Sequence, residues 1–103
     1  MVAGDADQPR MSSRGPDWFT DAYTLSPGAT DLVSLSGAEH SLGGIPGHEV
    51  AETTDESPER VAVLQRLTTA YLRSLLVSAE GSWAAARSVF VESADPIGRV
   101  ETK

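Results

Sequence analysis

The sequence predicts an α/β fold: two short parallel edge strands with three helices. Three observations carry that expectation. The chain opens on a short apolar start, "MVAG", that runs into Gly-Asp. Further on, "TDLVSLSG" sets Leu32, Val33 and Leu35 between turn-forming residues. One helical pattern lies between these two runs and two more follow them. A strand, a helix and a second strand in that order imply a parallel pair joined by a crossover.

Each element has a local reason. "MVAGDAD" reads as the end of a strand whose beginning lies outside the chain, because a domain usually starts on a polar lead-in. In "RGPDWFTDAYTL", Pro16 suits a first helical turn with Asp17 beside it. Trp18, Phe19, Ala22 and Tyr23 then recur at the spacing of a short amphipathic helix, which Ser26-Pro27-Gly28 stops. Leu32, Val33 and Leu35 form a buried strand. The Gly- and Pro-rich "GGIPGHEVAETTDES" is expected to be irregular, and loops of that length are often functional.

The strongest pattern is "SPERVAVLQRLTTAYLRSLLVS". Ser57 suits the N-cap, Pro58 the first helical position, and Glu59 the positive end of the helix dipole. Val61, Leu64, Leu67 or Thr68, Tyr71 and Leu75 recur at helical spacing, so a helix is predicted from about Pro58 to Ser78. Gly81 ends or follows it, and Ser82 caps a helix that presents Trp83, Ala86 and Val89 or Phe90 on one face. "DPIG" closes that helix, and "RVETK" reads as a polar tail. Two parallel strands make a poor sheet by themselves, since parallel sheets are normally wider and covered on both faces. The layout therefore looks like the end of a wider α/β sheet, with an uncovered edge open to self-association.

Composition narrows the function. A formal charge of −7 over 103 residues, with no Lys/Arg cluster, argues against nucleic acid or an anionic membrane as partner. The absence of cysteine excludes disulfides and thiolate metal sites. No apolar run approaches the roughly 20 residues that span a bilayer, and the start lacks the pattern of a secretion signal. A cytoplasmic protein with no cofactor is the expectation.

The chemistry is read at the strand ends. Ligands of open α/β sheets bind outside the carboxyl ends of the strands. One end offers Gly4-Asp5-Ala6-Asp7, the other Gly37-Ala38-Glu39-His40. If the strands are parallel neighbours, a carboxylate and an imidazole meet on one rim. That pair is what proton transfer needs: the acid orients the ring and stabilises the imidazolium formed when it takes a proton. The 33 positions from Asp7 to His40 leave room for one helix and one strand.

The segments "VAGDADQP", "RGPDWFTDAY", "GAEHSLGGIPG" and "ETTDESPERVAVLQRLTTAYLRSLL" resemble the C-terminal portion of bacterial α/β-hydrolases of the chlorophyllase-like and dienelactone-hydrolase-like group. The resemblance extends over about residues 2 to 91 and is most specific at the His40 loop and at "ETTDESPERV". It implies residues 1–103 as a partial α/β-hydrolase domain, its last two strands and C-terminal helices, whose whole enzyme cleaves a small carboxylic ester. In that family the triad runs Ser, Asp, His. The acid sits in a G-x-x-D turn, which matches Gly4 to Asp7, so the resemblance makes Asp7 the acid, with Asp5 in reserve, and His40 the base.

One departure is large: the nucleophile elbow G-x-S-x-G is absent from these residues. Ser34, Ser36 and Ser41 lie near His40 in sequence, but none sits in a strand-turn-helix elbow that presents a serine for attack. The chain alone is therefore expected to be inactive. Glu39, His40, His48 and Glu49 offer metal-binding atoms, but their spacing matches no compact ligand motif. Trp18, Tyr23, Tyr71, Trp83 and Phe90 read as core or interface packing, with the border of an acyl pocket as an alternative for Trp18. The rival functional class is a small noncatalytic module that binds a partner through its uncovered apolar face.

Overall fold

A computed structural model describes residues 1–45, 54–77 and 81–103 of the chain. It is a small mixed α/β domain. Strand β1 (Val2–Gly4) is followed by a 3-10 turn (Pro16–Thr20) and one turn of helix, α1 (Asp21–Thr24). Strand β2 (Asp31–Leu35) comes next, then helices α2 (Pro58–Leu76) and α3 (Ser82–Val91) and strand β3 (Gly98–Thr102). β1 and β2 pair in parallel, with Val2 opposite Val33 and Gly4 opposite Leu35. β3 pairs antiparallel with β2 on its other side, with Val33 opposite Val100.

The sheet corrects two expectations. β2 is the central strand rather than an edge, and "RVETK" is largely strand rather than tail. A single apolar residue, Val100, gave "RVETK" too weak an alternation to read as a strand, yet it packs on the main core cluster. Its end is also tied down: Thr102 Oγ1 donates to Asp31 at 2.9 Å, and Lys103 Nζ donates to the carbonyls of Tyr23 and Ser26.

Side-chain alternation along β2 divides the core. Val33 and Leu35 face the helices and pack with Ala38, Leu67 of α2 and Phe90 of α3. Leu32 faces the other way, with Ala3 and Tyr23. The β1–β2 connection thus contributes one aromatic residue to the second cluster, while Trp18 stays exposed. Tyr71 and Trp83 meet edge to face across the helix pair, with ring centroids 5.5 Å apart.

α2 starts as the sequence requires: Ser57 Oγ accepts from Arg60 N at 3.2 Å, and Pro58 opens the first turn. The helix ends at Leu76; Ser78, where the sequence placed its end, lies outside the described residues. α3 departs from its expected cap. Gly81, at φ 85°, is the N-cap and Ser82 the first helical residue, with no side-chain cap bond. Only glycine takes that left-handed geometry without steric cost, so the cap falls one residue early.

Candidate active site

Both parallel strands run out at one rim, where their continuations are stitched together. Asp5 N donates to Leu35 O and Ala6 N to Ala38 O, each at 3.1 Å. Asp5 itself is used here: its Oδ1 accepts Gly37 N at 2.7 Å and closes the turn after β2. Gly4 permits this approach. A Cβ at that position would lie 2.1 Å from Ala38 O and 2.9 Å from Glu39 O.

Two residues beyond Asp5 the chain delivers Asp7. His40 Nδ1 lies 2.9 Å from Asp7 Oδ2. Because a carboxylate only accepts, Nδ1 carries the proton, which in a neutral ring leaves Nε2 as the acceptor. The two partners differ sharply in exposure: the Asp7 side chain is 8% exposed and the His40 ring 83%. The acid is sheltered in the rim and the ring projects from it. Of the two candidate acids, the structure joins Asp7 to the imidazole and Asp5 to a backbone amide.

Phe19 lies against the ring, 5.5 Å between centroids, and Trp18 meets Phe19 edge-on at 5.1 Å. The 3-10 turn thus supplies an aromatic wall beside His40, although its spacing had suggested core packing. Ser34 is buried within β2, and among the described residues the first helix after β2 begins at Pro58. None of Ser34, Ser36 and Ser41 therefore occupies a strand-turn-helix elbow.

Asp55 is the residue the sequence reading missed. It lies in a polar run ahead of a helix cap, where a solvated charge is the ordinary expectation. Instead it is 7% exposed, and its Oδ2 accepts Glu39 N at 2.7 Å and Gly43 N at 3.0 Å. Glu39 is held too, with both carboxylate oxygens 2.7 Å from Thr54 Oγ1. No sequence signal separates such an aspartate from its exposed neighbours, because its partners are backbone amides.

Among the described residues no group of three or more His, Asp or Glu side chains is arranged to hold a metal ion. His48 and Glu49 of the alternative metal set lie outside the described residues. No described helix is long and apolar enough to cross a membrane. At the foot of the 3-10 turn, Arg14 bonds Asp21 and Asp17. Those hydrogen bonds, Asp21 first, raise the Arg14 pKa further, and the bond from Arg14 lowers that of Asp21.

No protein-family model matches the chain. No characterised protein and no solved structure matches it either.

Proposed function

We propose that this chain supplies the general base and its orienting acid to a serine hydrolase of carboxylic esters, as the C-terminal segment of an α/β-hydrolase. The nucleophilic serine would come from polypeptide outside these 103 residues. The observation that carries the reading is the 2.9 Å bond between His40 Nδ1 and Asp7 Oδ2. In a neutral ring that bond favours the tautomer in which Nε2 can accept a proton.

In the proposed reaction, Nε2 of His40 takes the proton of the serine hydroxyl as its oxygen attacks the ester carbonyl. Asp7 holds the ring and stabilises the resulting imidazolium while remaining ionised. The imidazolium then gives the proton to the departing alcohol. A water molecule, deprotonated by the same nitrogen, then attacks the acyl carbon, and the imidazolium returns that proton to the serine oxygen as its bond to the acid product breaks. Phe19 and Trp18 would border the space beside the ring.

The test is made in the enzyme assembled with its serine-bearing segment. His40→Ala should abolish ester turnover while leaving folding nearly unchanged, and unaltered turnover would remove His40 from the mechanism. The isolated chain should give no burst with an activated ester.

The rival reading, a noncatalytic module that binds a partner, draws on the exposed Leu72, Leu75, Leu76 and Val77 at the end of α2. It offers no reason for a buried carboxylate to orient an exposed imidazole. In-frame coding sequence ahead of Met1 that contains a G-x-S-x-G elbow would decide for the hydrolase.

A further inference from the structure

We propose that Asp55 is the positioning residue of His40: its buried carboxylate ties the two ends of the turn that carries the imidazole and so keeps the ring on Asp7. The inference deepens the reading of His40 and Asp7 as a working pair.

The His40 ring cannot position itself. It is 83% exposed, its hydrogen-bond partner among the described residues is one carboxylate oxygen, and water competes for that bond. Phe19 borders the ring at 5.5 Å between centroids, and the rest of its orientation comes from the backbone beneath it. That backbone is a turn, closed by Leu42 N donating to Glu39 O at 3.0 Å. The turn is strained. Leu42 stands at φ 50°, the one positive φ outside glycine among the described residues, and Gly43 follows at φ 94°. A leucine in the left-handed region persists only where its surroundings over-determine it. Part of the constraint is packing, since Leu42 lies against the main core cluster.

Asp55 supplies the rest. A single oxygen, Oδ2, accepts the amide before His40 and the amide after Leu42, so it spans the turn like a clasp. Hydrogen bonds to an ionised acceptor are stronger than neutral ones. Asp55 is in turn anchored to α2: its carbonyl accepts Arg60 Nη1 at 3.1 Å. Two residues on, Ser57 N donates to Gly43 O at 2.9 Å. At Gly43 a Cβ would lie 2.9 Å from Arg60 Cβ and 3.0 Å from Ser57 O, so the turn sits directly on the start of α2. The other oxygen, Oδ1, is buried and has no hydrogen-bond partner among the described residues. A carboxylate kept in such a place, half used, serves the geometry of the turn more than the stability of the chain.

The readout is the tautomer of His40, which long-range proton–nitrogen correlation reports on the full chain at a pH where the ring is neutral. It needs no ester hydrolysis, so this inference and the catalytic reading fail separately. In the unaltered chain the proton should sit on Nδ1, and the Glu39 and Gly43 amides should be protected from exchange. Asp7→Asn serves as the control that moves the tautomer. Asp55→Leu removes the clasp: both amides should exchange at least about tenfold faster and the His40 proton should shift toward Nε2. Asp55→Asn can place its amide oxygen at the Oδ2 position and should restore both signals. If Asp55→Leu does not fold, Asp55→Ser, whose hydroxyl is too short to reach both amides, takes its place and should give the same two changes. In any folded variant, freed amides with the proton still on Nδ1, or protected amides with the proton moved, would overturn the proposal.

Discussion

The two ends of helix α2 solve opposite problems. At its start polar groups hold the chain together: Ser57 caps the helix, Arg60 holds the Asp55 carbonyl, and Asp55 clasps the His40 turn. At its end Leu75 is 61% exposed and Leu76 77%, with Leu72 and Val77 exposed beside them. Burying a leucine is worth about 1.5–3 kcal/mol, whereas one hydrogen bond contributes about 1 kcal/mol net. The start of α2 thus secures geometry at modest gain in stability, and the end leaves the larger stabilisation unused. The helix therefore has an ordered polar end under the Asp7–His40 pair and an apolar end that faces outward.

The largest effect expected is on that chemistry. In the proposed hydrolase, assembled with its serine-bearing segment, His40→Ala or Asp7→Asn should lower kcat by about 10³- to 10⁴-fold, with little change in the unfolding midpoint for the exposed His40. A drop in kcat matched by an equal loss of stability would mean that the pair only holds the rim together.

Next comes the rim itself. Gly4→Ala puts a Cβ within 2.1 Å of the Ala38 carbonyl, so β1 and the His40 turn must separate. The cost should be about 1–3 kcal/mol in urea unfolding. The Asp7–His40 bond should be lost with it, visible as a change of the His40 tautomer. A neutral substitution would show that the two strand ends are not packed as closely as the stitched amides imply.

How much of this was legible in the sequence depended on whether a residue's partners were near it in the chain. α2 was readable because Ser57, Pro58 and the leucine spacing are local signals, and the Ser57 bond to Arg60 is itself local. The parallel pair was readable from two short runs and the helical stretch between them, and with it the meeting of Asp7 and His40. β3 was not, since its case rests on Val100 and on ladder bonds to β2. Asp55 was not, because its partners are amides 12 and 16 residues away. Nor was the exposure of Leu75, whose position on the helical stripe says nothing about how far the sheet beneath it extends.

The contrast between the ends of α2 can be measured directly. Ser57→Ala removes a cap and should cost about 1 kcal/mol. Leu76→Gln, at the exposed end, should change the stability of the isolated chain by less than about 0.5 kcal/mol. If Leu76→Gln proves the costlier change, that end is already covered in solution, and a fall in sedimentation coefficient on substitution would identify a second copy as the cover.

The smallest effect belongs to a pair of charges that sets off the buried acid. Asp7 is sheltered, whereas the Arg14–Asp21 pair is solvent-exposed, so solvent and salt screen most of its attraction. The sign is still fixed. The hydrogen bond from Arg14 lowers the Asp21 pKa, so the folded state holds that proton less tightly than the unfolded chain does. The resulting stabilisation is present above the ordinary carboxylate range and fades as the pH falls through it. Arg14→Gln should therefore lower the unfolding midpoint slightly at pH 7, and the gap from the unaltered chain should close in acid and in high salt. A gap that persists at pH 2 would assign Arg14 a packing role on the 3-10 turn instead of an ionic one.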